Sequence, residues 1–270
     1  MTMTMEPATG VSEASDIPTR LRGKTILVAG GGGIGGGLAR RFAAEGANVV
    51  LGDVDEASAE TIVRGIVADR GRALATRFDG ADEVSAAAAV ALACERFGGL
   101  DGIHCNFANV LEQDDAVGAL ELPLADFDET MRVNLRGYLV CTRAAVPALL
   151  ERGGSIIYTS SPAALKGEPI RLAYAVAKAG VEALMRHVAN RYGAAGIRAN
   201  CIAPGTTLHE RVESLLDEPT RDWLRSMAII KSRFGRPEDI AAMAALLMSD
   251  EGSYITAQVI GVDGGVTMRS

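Results

Sequence analysis

No stretch of the chain approaches the ~18 consecutive apolar residues of a membrane span, and no cluster of Lys and Arg supplies a nucleic-acid footprint. Charge runs the other way, with 27 basic against 34 acidic residues and a net charge of −7. That favours solubility and points to neither nucleic acid nor a membrane as partner. Aromatic residues make up only 4%, with one tryptophan, Trp223. The three histidines, His104, His187 and His209, have no metal-ligand spacing, so the four ligands of a zinc site are not expected and no metal is assigned. Cys94, Cys105, Cys141 and Cys201 include no C-x-x-C and lie in apolar contexts. They read as buried free thiols of a cytoplasmic protein, not as a disulfide framework. Met1–Thr19 has neither the basic nor the apolar region of a secretory signal. Its Thr, Ser, Pro and Met content reads as a mobile tail of about 20 residues.

What is present is an alternation. The 270 residues are 48% hydrophobic and 23% charged, ordinary for a globular chain, and residues 21–270 read as one α/β domain. Lys24–Ala29 is a short apolar strand. The tract Gly30, Gly31, Gly32, Gly33, Ile34, Gly35, Gly36, Gly37 follows, and then a helical pattern closed by Gly46. Strand, glycine turn, helix is the context a dinucleotide phosphate loop requires: N–H groups at the helix start face the pyrophosphate, and glycine lets the backbone come close. A second strand ends at Asp53, whose carboxylate can accept hydrogen bonds from the adenosine ribose hydroxyls; it could also cap the helix that starts near Asp55. Strands at 72–78, 100–106, 155–159, 197–203 and 258–262 are predicted to alternate with helices at 56–70, 82–97, 126–151, 173–194 and 237–248. One long helix over 126–151 carries Asn134, with Pro147 near its end as a candidate kink. Strict alternation implies a doubly wound parallel sheet of about seven strands with helices on both faces, a Rossmann fold. Residues 206–231 break the rhythm. They carry Leu215, Leu216, Trp223 and Leu224 at partly helical spacing after the Pro204-Gly205 corner, where a substrate lid would belong.

Tyr174 and Lys178 stand four apart on a predicted helix and so share a face. A phenol with an ordinary pKa of about 10 needs such a cation to act as a base near neutral pH. Ser161, thirteen residues before the tyrosine, sits at a strand's carboxyl end. The spacing alone equally describes a surface pair on an Ala-rich helix.

The ordered set Asn134, Ser161, Tyr174 and Lys178, with Pro204-Gly205, Phe234-Gly235-Arg236-Pro237-Glu238-Asp239 and Val262-Asp263-Gly264-Gly265, resembles the short-chain dehydrogenase/reductase family over residues 21–265. The resemblance implies a single-domain, nicotinamide-dependent oxidoreductase that interconverts a small secondary alcohol and a ketone, and a homotetramer; Asp53, followed by Val54, Asp55 and Glu56 and with no Arg or Lys in the glycine turn, points to NAD over NADP. By the same resemblance Tyr174 is the general acid/base, Lys178 assists it and holds the nicotinamide ribose, Ser161 orients the carbonyl, and Asn134 anchors a water of the proton relay. Asp79 would contact adenine, with Asn106 lining the adenosine side and Pro204-Gly205 the cofactor. Gly30, Gly33, Ile34 and Gly35 would cradle the phosphates.

The chain departs from the family pattern in places. The first turn usually reads Thr-Gly-x-x-x-Gly-x-Gly; here Ala29 replaces the Thr and the turn is one residue short. The usual Asn-Asn-Ala-Gly reads Cys105-Asn106-Phe107-Ala108, and His209 stands where a cofactor-contacting threonine is usual. Leu165, Ile170, Leu172 and Trp223 suggest an apolar substrate. The rival activity is a 3-oxoacyl-thioester reductase of fatty-acid type, and the rival from another class is a regulatory dinucleotide binder without turnover.

Overall fold

A computed structural model describes residues 19–109, 118–167, 170–213 and 216–268. The expected N-terminal tail lies outside these residues except at its end, as do residues 110–117 and Leu215 of the expected lid. The order begins β1 (Thr25–Ala29), α1 (Ile34–Ala44), β2 (Asn48–Asp53), α2 (Glu56–Ala68), β3 (Arg72–Arg77), α3 (Glu83–Phe97) and β4 (Gly102–Cys105). It continues with α4 (Leu124–Met131), a π-turn (Arg132–Arg136), α5 (Gly137–Leu149), β5 (Gly154–Thr159), α6 (Leu172–Tyr192) and β6 (Ile197–Pro204). It closes with α7 (Glu210–Glu213), α8 (Glu218–Met227), α9 (Pro237–Met248) and β7 (Val259–Val262). The strands form one seven-stranded sheet in the order β3-β2-β1-β4-β5-β6-β7, every neighbour parallel. This is the doubly wound α/β fold that the alternation predicts. The chain reverses direction across the sheet between β1 and β4, and a crevice opens beyond their carboxyl ends, where such sheets bind ligands.

Both faces of the sheet are covered, so the inner strands read as unbroken apolar runs. On β1, Ile26 and Val28 pack with Leu38, Phe42 and Ile240, while Leu27 and Ala29 pack on the opposite face with Ile103, Tyr138 and Val181. That is the two-residue period of a strand serving two cores at once. Local signals set several boundaries. The Asp82 carboxylate accepts from Val84 N at 2.9 Å to start α3, and Gly98, at φ 82°, ends it in the left-handed region. Asp239 accepts from Arg236 N at 2.8 Å to start α9.

One element differs from expectation. The helix predicted over 126–151 begins at Leu124, ends at Leu149, and is interrupted by the π-turn that contains Asn134. The irregularity falls there and not at Pro147, which lies in the last turn of α5, where Leu150 N still donates to Val146 O at 2.9 Å. A π-turn inserts an extra residue into helical bonding, and tertiary contacts, not local propensity, select it. The four cysteines form no disulfide, but Cys94 is only half-buried.

Candidate active site

Tyr174 lies in the first turn of α6 and Ser161 just beyond β5. Both face a cavity of about 650 Å³. The Ser161 hydroxyl caps a short helical turn, accepting from Ala163 N at 3.2 Å. Lys178, one turn after Tyr174, is buried behind it. Its ammonium lies 5.5 Å from the Tyr174 ring centre and donates to Thr159 O at 2.8 Å and to the Tyr138 hydroxyl at 3.0 Å. Burial pushes its pKa from 10.5 down to about 7. The i, i+4 expectation therefore holds for the shared face, but the ammonium lies beside the Tyr174 ring and hydrogen-bonds elsewhere. Sequence reading missed Tyr138. Its signal was available, since it stands four residues after Asn134 just as Lys178 does after Tyr174. It is fully buried, and burial raises its pKa well above the ordinary phenol value. Its hydroxyl donates to Phe107 O at 2.9 Å.

Asn134, wholly buried, makes a paired contact with the backbone of Asn109: Asn109 N donates to its Oδ1 at 2.7 Å, and its Nδ2 donates to Asn109 O at 2.6 Å. The π-turn thus holds the chain leaving β4 over the sheet end. A second relay runs through Asn106. The Thr159 hydroxyl donates to Asn106 Oδ1 at 3.0 Å, and Asn106 Nδ2 donates to Gly30 O at 3.3 Å. His104 Nε2 lies 3.0 Å from the same hydroxyl oxygen, so with Thr159 donating onward, the imidazole carries its proton on Nε2. Burial lowers the His104 pKa to about 3.

A second cavity, of about 520 Å³, opens beside the glycine turn. Its walls include Gly31, Gly33, Arg40, Asp53, Asp55 and Glu238. Asp53 Oδ2 accepts from Gly31 N at 2.7 Å and Gly32 N at 3.1 Å, and its Oδ1 accepts from Asp55 N at 2.9 Å. It therefore braces the turn and borders the cavity together. The helix cap belongs to Asp55, which accepts from Ser58 N at 3.1 Å. Arg40 lines this cavity, whereas Arg41 is tied to Glu45 at 2.5 Å. Asp79 is not among the lining residues; its carboxylate accepts from Ala81 N at 2.9 Å. Pro204 and Gly205 line the larger cavity.

A family model described as enoyl-(acyl carrier protein) reductase matches residues 28–267. A protein of Bradyrhizobium diazoefficiens, named a probable short-chain type dehydrogenase/reductase, is 41% identical over 92% of this chain and 88% of its own. The chain belongs to the short-chain dehydrogenase/reductase family. A 2,5-dichloro-2,5-cyclohexadiene-1,4-diol dehydrogenase of Sphingobium indicum is 36% identical over 92% of this chain and 98% of its own. The solved short-chain dehydrogenase/reductase of Serratia marcescens superposes with a TM-score of 0.84 at 31% identity, covering 92% of this chain and all of that one. The protein is thus an oxidoreductase of this family.

The departures from the usual short-chain dehydrogenase/reductase pattern have structural partners. Phe107 fits because glycines surround it. A Cβ at Gly80 would overlap its ring, one at Gly137 would come within 2.9 Å of it, and the ring packs on Tyr138 with centres 4.9 Å apart. His209 lies against the glycine turn, where a Cβ at Gly33 would come within 2.6 Å of its Nε2, and it borders both cavities. The residues present fit a nicotinamide dinucleotide, whose pyrophosphate needs a cradle without side chains. Gly33, at φ 50°, stands at the start of α1, and the flanking glycines leave the cavity wall bare.

Proposed function

We propose that the protein is an NAD(H)-dependent oxidoreductase interconverting a secondary alcohol and a ketone. The observation that carries this reading is the placement of Ser161 and Tyr174 on one cavity with Lys178 buried behind the phenol. Bound NAD(H) supplies the hydride acceptor or donor, with Gly30, Gly33, Ile34 and Gly35 next to its phosphates and Asp53 at its adenosine ribose. Pro204 and Gly205 flank its nicotinamide end, while Asn106 acts indirectly by holding the glycine turn. Ser161 holds the substrate oxygen. Tyr174 takes the hydroxyl proton in oxidation and returns it to the carbonyl oxygen in reduction. Lys178 stabilises the phenol's anionic form through its charge, and the third donor of its ammonium holds a nicotinamide ribose hydroxyl. Asn134 fixes the Asn109 backbone and anchors the water that carries protons onward. The preference for NAD rests on the adenosine-side cavity, where Asp53, Asp55 and Glu238 outnumber Arg40, a poor setting for a 2′-phosphate.

Helix α8 acts as the substrate lid: Trp223, Leu224 and Met227 wall the larger cavity. A homotetramer joining the faces of α5 and α6 follows from family resemblance, and light scattering at micromolar concentration tests it. The activity is tested by following NADH absorbance against a panel of alcohols and ketones; no change with any member, together with tight NADH binding, would favour a dinucleotide-binding role without turnover.

A further inference from the structure

The wall of the substrate cavity is largely apolar, with Ile34, Val212, Leu224 and Met227 in it, but it also carries a cation. Of the four residues that suggested an apolar substrate, Ile170 and Trp223 line the cavity, whereas Leu165 and Leu172 do not and are 48% and 38% exposed. Lys166 is in the wall, and no Asp or Glu is found among the described lining residues. In a chain with seven more acidic than basic residues, that imbalance is local and opposite in sign to the whole.

Lys166 is placed by the same turn that presents Ser161. Its backbone N donates to Pro162 O at 2.9 Å, and its side chain spans from that turn to α8, where the ammonium lies 4.0 Å from the Met227 sulfur. A thioether is a weak acceptor, and an ammonium has three donors to satisfy. Among the described residues no carboxylate lies within ion-pair distance of it. A half-buried cation on a cavity wall, beside apolar side chains and without a counter-ion among the described residues, is set to meet an anion from solution.

We propose that the substrate carries an anionic group remote from its reacting carbon, bound by Lys166 between the Ser161 turn and α8; this rests on the reading of the cavity as the substrate site. The ligand class is a keto or hydroxy acid whose carboxylate, or a sulfonate in its place, sits toward the lid while its oxygen faces Ser161 and Tyr174. Trp223, the only tryptophan in the chain, lies on the same wall and reports binding without turnover.

The test pairs acetoacetate and levulinate with their methyl esters, which keep the ketone and lose the charge. Trp223 fluorescence is titrated with each in the presence of NADH, and kcat/KM is measured alongside. At least one acid is expected to bind on the order of 10- to 100-fold tighter than its ester, the range of a hydrogen bond to a charged group. Lys166→Gln should remove that preference and Lys166→Glu should reverse it, with the NADH Kd of each variant confirming an intact cofactor site. Esters binding as well as acids, or an acid preference that survives Lys166→Gln, overturns the proposal. Turnover of ketones without an acid preference would remove the anion site and leave the oxidoreductase reading standing. Lys166-dependent acid binding without turnover of any ketone would do the reverse.

Discussion

The ammonium of Lys178 is hydrogen-bonded to Tyr138 at 3.0 Å, not to Tyr174, whose ring centre lies 5.5 Å away. Two tyrosines from different helices thus flank one buried lysine: the deeper one accepts its hydrogen bond, and the one at the cavity lies beside it and does not.

Tyr138→Phe should therefore act through Lys178. It removes an acceptor from a buried ammonium, leaving a donor unsatisfied at a cost of about 1–3 kcal/mol. Lower stability in urea is expected, together with a displaced pH profile of kcat. If stability and profile both match the parent, Tyr138 has no hold on Lys178.

Tyr174→Phe should lose turnover by roughly 10²–10⁴-fold or more, the range of general acid–base catalysis. NADH binding, followed by fluorescence, should survive. A variant that turns over at near-parent rates would take Tyr174 out of the proton path.

The buried bases give stability a definite pH dependence. His104 titrates at 6.5 when exposed and at about 3 in the fold; Lys178 titrates at 10.5 when exposed and at about 7 in the fold. In both windows the unfolded chain holds the extra proton, so stability rises with pH, at up to ~1.4 kcal/mol per pH unit for each group. His104 withdraws stability as pH falls from 6.5 toward 3, and Lys178 as pH falls from 10.5 toward 7. Urea midpoints across pH should show a flatter slope below pH 6.5 for His104→Gln and a flatter slope above pH 7 for Lys178→Met. Slopes equal to the parent's would contradict neutral burial.

Asp53→Ala should reduce the NAD preference. Two like charges ~4 Å apart cost on the order of 4 kcal/mol at an effective dielectric of 20. Arg40 in the same cavity offsets part of this, leaving roughly ten- to a hundredfold in favour of NAD in the parent. In the variant Arg40 faces the 2′-phosphate with only Asp55 and Glu238 left against it, so the ratio of kcat/KM values should fall toward one. A parent that uses both cofactors equally would defeat the charge argument. The variant should also be less stable, because the N–H groups of Gly31 and Gly32 lose their acceptor.

Much of the fold was legible because local chemistry agreed with it. The apolar runs gave the strands, Asp82 and Gly98 bounded α3, and alternation gave the parallel sheet. Ser161, Tyr174 and Lys178 were legible as an ordered set, and the structure brings the first two to one cavity. What stayed hidden depends on residues distant in sequence. Phe107 is admitted by Gly80 and Gly137, which no local window pairs with it. His209 looked like a lost cofactor contact, yet it packs on Gly33. The apolar substrate was read from Leu165, Ile170, Leu172 and Trp223; which side chains of an irregular turn reach a cavity is set by their surroundings, and Ile170, Trp223 and Lys166 line it whereas Leu165 and Leu172 do not.

The π-turn at 132–136 also makes the rod from Leu124 to Leu149 two objects in phase terms. Its first half packs on α6 and its second on α3. One inserted residue rotates everything after it by ~100° while lengthening the rod by only ~1.5 Å. Deleting a single residue there would leave a helix of nearly the same length with its halves brought back into register. Asn134 could then keep Asn109, or Tyr138 could keep Lys178, but not both. The insertion is a clutch between two gears, and the offset that it holds lets Asn134 meet Asn109 while Tyr138 meets Lys178.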